Sequence, residues 1–257
     1  MHLLETRELR HRFPDGTEAL RGVSLAFPAG GLTVLAGANG SGKTVFARHL
    51  NGLLRPTSGE VLLEGRSIFE DIAAARQAVG LVFQNSESQF VGQTVTDDVA
   101  FGPENLNLPA AEVGRRTEEA LRRVGLWDRR DASPHLLSGG QKRRAAIAGV
   151  LAMGPKAVVL DEPFSGLDYS GVRQVLRQLV ELKEGGTAVI VISHQLEKLL
   201  AHADRLVLFD RGAVVADGSP LEVAPFLERH EVRNPLARGV PLEHLSWLSP
   251  GEETCDA

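Results

Sequence analysis

Eight consecutive residues, Gly37, Ala38, Asn39, Gly40, Ser41, Gly42, Lys43 and Thr44, satisfy the spacing G-x-x-x-x-G-K-[ST] in full. Glycines at these places let the backbone curl until successive N–H groups point inward at phosphate oxygens, and the helix start that follows adds its positive dipole end. Lys43 is positioned to reach β- and γ-phosphates as a point charge, and the Thr44 hydroxyl to ligate Mg²⁺. The stretch by itself predicts a binder of nucleoside triphosphates. A plain glycine turn before a helix is the bland alternative.

Three further groups fit the same chemistry. In "VVLDEP" two carboxylates end a continuous apolar run. Side chains alternate across a strand, so Asp161 and Glu162 are expected to face different surroundings and take different work. Asp161 suits Mg²⁺ held through its water shell, and Glu162 suits the general base or positioner of an attacking water. His194 follows the run "VIVIS" and Gln84 ends "GLVFQ". Sites in open α/β sheets lie beyond the carboxyl ends of the strands, so His194 is expected near a γ-phosphate. Taken singly, acids at a strand end also read as a cap and a lone histidine as structural. Their joint presence with the glycine loop favours the functional reading.

A second phosphate-like element stands nearly a hundred residues later, "LSGGQ" at 137–141. Ser138 reads as a helix N-cap, and Gly139 and Gly140, ahead of Gln141, leave terminal N–H groups bare and approachable. If both loops bind phosphate, the economical arrangement is two chains packed head to tail, each closing the other's nucleotide across a two-fold interface.

The elements that must carry these residues follow from apolar spacing. The runs "HLLETRELRHRF" and "ALRGVSLAF", joined by "PDGTE", predict an antiparallel pair. "GLTVLAG" leads into the glycine loop and "KTVFARHLNGLL" has helical spacing. "GEVLLEG" and "AVGLVFQ" add short strands. Residues 93–156 read as a helical insert, and "KAVVLDEP", "GTAVIVIS" and "RLVLFD" as strands covered on both faces, with helical segments at 170–184 and 195–202. The fold class predicted is α/β: a mostly parallel sheet between helices, an antiparallel β flank and a helical subdomain. Residues 1–224 form the nucleotide-binding domain on this reading. Residues 225–257 form a C-terminal extension with a short helix, loosely ordered at its end.

The chain has 257 residues, 43% hydrophobic and 24% charged, and a net charge of −5, which gives no overall pull toward nucleic acid. The start is too charged for a secretory signal. No run approaches the roughly 18–20 apolar residues that span a bilayer. The one cysteine, Cys255, has no intrachain partner, which suits a reducing cytosol.

The ordered set "GANGSGKT", Gln84, "LSGGQ", "VVLDEP", "SGLD" and His194 resembles the nucleotide-binding subunit of ATP-binding-cassette (ABC) transporters, over residues 3 to about 222. The resemblance implies that the signature loop 137–141 serves the partner's ATP, that Gln84 bridges Mg²⁺ and the membrane partner, and that Asp168 links the two sites. It also implies that Phe13, in "HRFPDG", stacks on adenine. Residues 82–109 and 136–155 are similar, more finely, to the ATPases of energy-coupling-factor importers of vitamins, cobalt or nickel. There two ATPases, alike or different, sit at the cytoplasmic face of the membrane beneath a transmembrane coupling protein and a separate substrate-binding membrane protein. Helices of the coupling protein dock after Gln84. Charge alone nominates Glu87, Asp97 or Asp98 to accept their arginines, against a merely solvated acidic surface.

Phe13 stands where tyrosine is commoner, Val45 where a second hydroxyl is frequent and Gln195 where an acid often follows the histidine. None removes a catalytic group, so an active ATPase of modest nucleotide affinity is expected. The alternatives are a soluble ABC ATPase acting on DNA or ribosomes, and a non-hydrolysing regulatory module; intact Glu162 and His194 argue against the latter.

Overall fold

The structure is a computed structural model, and it describes residues 2–84, 90–237 and 239–248. Five parallel strands form its centre: β3 (Leu32–Ala36), β6 (Val79–Val82), β7 (Ala157–Asp161), β8 (Ala188–Ile192) and β9 (Arg205–Asp210). The strand β10 (Ala213–Gly218) pairs antiparallel with β9, and the order across the sheet is β10-β9-β3-β8-β7-β6. The antiparallel flank is a sheet of its own. It consists of β1 (Leu4–Arg12), β2 (Glu18–Phe27), β4 (Ser58–Leu63) and β5 (Arg66–Ser67), in the order β2-β1-β4-β5. The strand expected at "GEVLLEG" therefore belongs to the flank, paired along β1.

The central strands are apolar without interruption because both their faces are covered, and the period of two divides them cleanly. Val34, Val158, Leu160, Val191 and Leu208 enter one core, with α5 (Gly139–Ala152) and α6 (Tyr169–Glu184). Leu35, Val159, Ile190, Ile192 and Phe209 enter the other, under the antiparallel flank and α1 (Lys43–Leu50). The expected fold class, a mostly parallel sheet with helices, an antiparallel flank and a helical subdomain, is met, and the flank shares one face of the sheet with α1.

Three helices make up the insert: α3 (Val95–Asn105), α4 (Ala110–Arg123) and α5. A seven-residue helix, α2 (Ile72–Ala78), precedes β6 and is capped by Asp71, whose carboxylate accepts from the Ala74 N–H at 3.0 Å. The helix expected at 195–202 is instead two 3₁₀ turns, Leu196–Lys198 and Leu200–His202. Its backbone groups are taken elsewhere. The Ala201 N–H donates to Leu245 O at 3.1 Å, and Lys198 O accepts from the Trp247 N–H at 3.2 Å, so the C-terminal segment occupies bonds that a continuous helix would make.

After α7 (Pro220–Val223) the chain continues through short 3₁₀ turns. Leu227, Val232, Leu245 and Leu248 are buried in the same core as α6. Cys255 and the expected loose end lie outside the described residues.

Candidate active site

The phosphate loop leaves β3, whose five residues are all buried. Gly37 stands at φ 150°, and a Cβ there would fall 2.4 Å from Phe209 O and 2.6 Å from Ser41 Oγ, so no larger residue fits. Gly42, at φ 102°, is the N-cap of α1. Lys43 folds over the loop and donates to Gly37 O at 2.7 Å, Ala38 O at 2.8 Å and Ser41 Oγ at 3.0 Å. Burial pushes its ammonium below the usual lysine range, and the carboxylates of Glu162 and Asp161 pull the other way.

Asp161 and Glu162 part company at the strand end: Asp161 is the last residue of β7 and Glu162 lies just beyond it. The Thr44 hydroxyl donates to Asp161 Oδ2 at 2.8 Å. Burial raises the Asp161 carboxyl, while that hydrogen bond and the charges of Lys43, Arg48 and Arg143 lower it. Glu162 turns into the left-handed region at φ 48°, an uncommon place for a residue with a side chain and a local strain of about 1–3 kcal/mol. Its N–H donates to Ile192 O at 2.9 Å, which holds it beside the end of β8. His194 Nδ1 then meets Glu162 Oε1 at 2.9 Å, the carboxylate side chain 11% exposed and the imidazole 59%. The pair is a sheltered carboxylate with a solvent-facing imidazole.

Phe13 lies just past β1, with its ring edge-on to His11 at 4.8 Å. His11 Nδ1 is 3.1 Å from His49 Nε2, and His49 Nδ1 is 2.7 Å from Val45 O on α1. A carbonyl only accepts, so His49 Nδ1 carries a proton. Burial lowers the His49 pKa, and the hydrogen bond to the Val45 carbonyl pulls the other way. The two histidines thus tie the Phe13 segment to the phosphate-loop helix.

Residues 37–45, Phe13, Gln84, Asp161, Glu162 and His194 line one cleft of about 1020 Å³, the scale of small-ligand sites. The rest of its wall includes Gln195, noted above for its place after the histidine, and Thr17, Glu18, Glu197, Glu231, Val232 and Arg233, which sequence reasoning did not single out. No local pattern marks 231–233. The extension reaches the cleft only because Leu227 and Val232 are buried in the core.

Ser138, Gly139, Gly140, Gln141 and Asp168 do not line that cleft. Ser138 caps α5 in a reciprocal box: its Oγ accepts from the Gln141 N–H at 3.3 Å, and its N–H donates to Gln141 Oε1 at 2.9 Å. A Cβ built on Gly139 would meet nothing within 4 Å, which leaves the helix start open. Asp168 caps α6 by accepting from the Gly171 N–H at 2.8 Å and the Ser170 hydroxyl at 3.1 Å.

The acidic candidates for a membrane partner are partly committed. Asp97 Oδ2 accepts from the Thr94 N–H, and Asp98 Oδ1 from the N–H groups of Val91 and Gly92. Glu87 lies outside the described residues.

The donors available for a divalent cation are hard oxygens, the Thr44 hydroxyl and the Asp161 carboxylate, which suits Mg²⁺. Among the described residues no group of three or more His, Cys, Asp or Glu side chains could hold a metal by itself. Such an ion would complete its shell with phosphate and water oxygens, as Mg²⁺ does at nucleotide sites.

The comparisons agree with this geometry. The family described as ABC transporter matches residues 20–165. The energy-coupling factor transporter ATP-binding protein EcfA of Methanocaldococcus jannaschii is 44% identical over 226 residues, 87% of this chain and 81% of that protein. EcfA of Methanococcus maripaludis is 40% identical over 256 residues, 98% and 91% of the two chains. Among solved structures, cbiO1 from Clostridium perfringens, part of the ABC transporter complex cbiONQ, superposes with a TM-score of 0.79 at 36% identity, covering 92% of this chain and 96% of that one. An ATP-binding cassette solved as a post-hydrolysis dimer with ADP and Pi superposes with a TM-score of 0.76 at 25% identity, covering 84% and 98%. With the family matched across the phosphate loop, the signature and the paired carboxylates, this chain belongs to the ABC transporter family, as an ATP-hydrolysing subunit of the energy-coupling-factor type.

Proposed function

We propose that the chain energises a membrane importer of a micronutrient, a cobalt or nickel ion or a vitamin. It would work as one of a head-to-tail pair of ATPases at the cytoplasmic face, beneath a transmembrane coupling protein and a substrate-binding membrane protein. Relatives named for energy-coupling-factor transport, and a neighbour that is part of a cbiONQ complex, support this setting.

In this reading the backbone N–H groups of 37–42 and the Lys43 ammonium grip the phosphates, and Phe13 stacks on adenine. Thr44, Asp161 and Gln84 would hold Mg²⁺, which when bound neutralises charge on the β- and γ-phosphates. Glu162 orients a water and takes its proton as the water oxygen bonds to the γ-phosphorus and the bond to the β-phosphate oxygen breaks. His194 Nδ1 steadies that carboxylate and leaves Nε2 to face the γ-phosphate. ADP and phosphate then leave and the pair reopens, which moves the membrane partner.

The observation that carries the two-chain site is the separation within one chain. The cleft gathers the loop, the carboxylates and the histidine, while Ser138–Gln141 open elsewhere at the start of a helix. Mixing subunits tests it. Lys43→Ala and Ser138→Arg homodimers should each be inactive. Their equal mixture should recover turnover, up to about a quarter of wild type when the sites work independently and less when they are coupled, since half the pairs join both defects in one site and spare the other. No recovery above either parent, in steady state and in single turnover, would overturn the shared site.

A further inference from the structure

The helix that begins at the signature loop and the strand that delivers Gln84 are locked together inside each chain. They touch at two places. α5 lies so close to β6 that a Cβ on Gly80 would fall 2.2 Å from Val150 Cγ1, so the absence of a side chain at 80 sets the approach. About two turns nearer the helix start, Arg143 is 3% exposed. Its Nη1 donates to Phe83 O and its Nη2 to Gln84 O, both at 2.5 Å. These two carbonyls directly follow β6.

A buried guanidinium is costly unless its donors are satisfied, and one that forks onto two successive main-chain carbonyls fixes both position and direction. No carboxylate is hydrogen-bonded to Arg143 among the described residues. Asp161 and Glu162, at the end of the neighbouring strand β7, act on its charge through space. The strut thus holds the backbone of Gln84, a residue that lines the cleft, within electrostatic reach of the two carboxylates. Ser138 lies only five residues before Arg143 on the same rigid helix.

We propose that Arg143 is a positioning residue that couples the two ATP sites of the pair. It ties the helix starting at one site's signature loop to the backbone of Gln84 in the other site. This inference rests on the head-to-tail arrangement proposed above. When the partner's ATP is gripped at Ser138–Gln141, α5 is drawn toward it. The Gly80–Val150 contact and the Arg143 fork carry that displacement to residues 83–84, which re-aims Gln84 in the chain's own cleft. Binding at one site then biases the other, and the coupling is reciprocal.

The test is the ATP dependence of hydrolysis by the full-length dimer with Mg²⁺. Arg143→Met keeps the aliphatic stem but removes both donors. Arg143→Lys keeps the charge but offers a point donor in place of the fork. For two coupled sites the Hill coefficient should lie near its ceiling of ~2 in the wild type and fall to ~1 in Arg143→Met. The half-saturating ATP concentration should change less than about threefold, with Arg143→Lys lying between. A purely structural role would lower activity without changing the shape of the curve. A folded Arg143→Met protein with wild-type sigmoidicity would overturn the proposal, and so would a wild-type coefficient of 1. If Arg143→Met does not stay folded, Arg143→Lys decides by the same criterion. Failure of the shared-site reading itself appears separately, as no recovery in the mixture of Lys43→Ala and Ser138→Arg subunits even in single turnover.

Discussion

Glu162 departs from regular geometry at the point where it meets the chemistry. Asp161 continues the strand into a hydrogen bond with Thr44, while the next residue turns to φ 48° and places its carboxylate against His194. Two adjacent acids with the same chemistry thereby acquire different partners, because the first keeps strand geometry and the second leaves it. Replacing the carboxylate by an amide of the same shape should leave phosphate binding intact, because Lys43 and the loop are untouched. Glu162→Gln should therefore keep ATP binding while turnover falls by on the order of 10² or more, the usual contribution of a positioned base. Steady-state hydrolysis beside equilibrium nucleotide binding checks this. Near-normal turnover would remove the assigned role. The order D-E after an apolar run was legible in the sequence. The left-handed turn and the 2.9 Å contact to His194 were not, since both depend on β8 lying beside β7.

At the scale of elements, the approach of α5 to β6 decides where the signature helix sits. In sequence Gly80 is one glycine at the start of a strand and Val150 one apolar residue in a helix. Nothing local connects them. Gly80→Ala should overpack the contact and destabilise the fold by about 1–3 kcal/mol, and Val150→Ala on top of it should restore part of the loss. Denaturant melts of the two single variants and the double variant measure the coupling, and strict additivity would mean that the contact is not close. The segment 195–202 makes the same point in the other direction. Its apolar spacing is helical, yet Leu245 and Trp247 from the far end of the chain take its backbone bonds and leave two 3₁₀ turns.

At the scale of the molecule, no helix among the described residues is long and apolar enough to cross a membrane. On the proposed function, vectorial work is passed to another polypeptide, which also selects the cargo. Affinity capture of the chain from its native membranes in mild detergent, followed by mass spectrometry, should bring down a polytopic coupling protein and a small substrate-binding membrane protein. Ribosomal or DNA-repair proteins in their place would set aside the transport reading and leave the ATPase chemistry standing. The extension takes part in the whole molecule as well, since its residues 231–233 form part of the nucleotide cleft.

Sequence alone determined the chemistry and its local carriers. A glycine loop between a strand and a helix, carboxylates and a histidine at the ends of apolar runs, and a capped Ser-Gly-Gly start each act through neighbours a few residues away, so spacing suffices to read them. Tertiary structure alone decided which of them meet. It brought 13, 37–45, 84, 161–162 and 194 to one cleft and kept 138–141 and 168 off it, because those distances depend on strand order. It also seated Arg143 behind Gln84. A buried cation finds its partners through packing, and packing leaves no periodic mark in the chain.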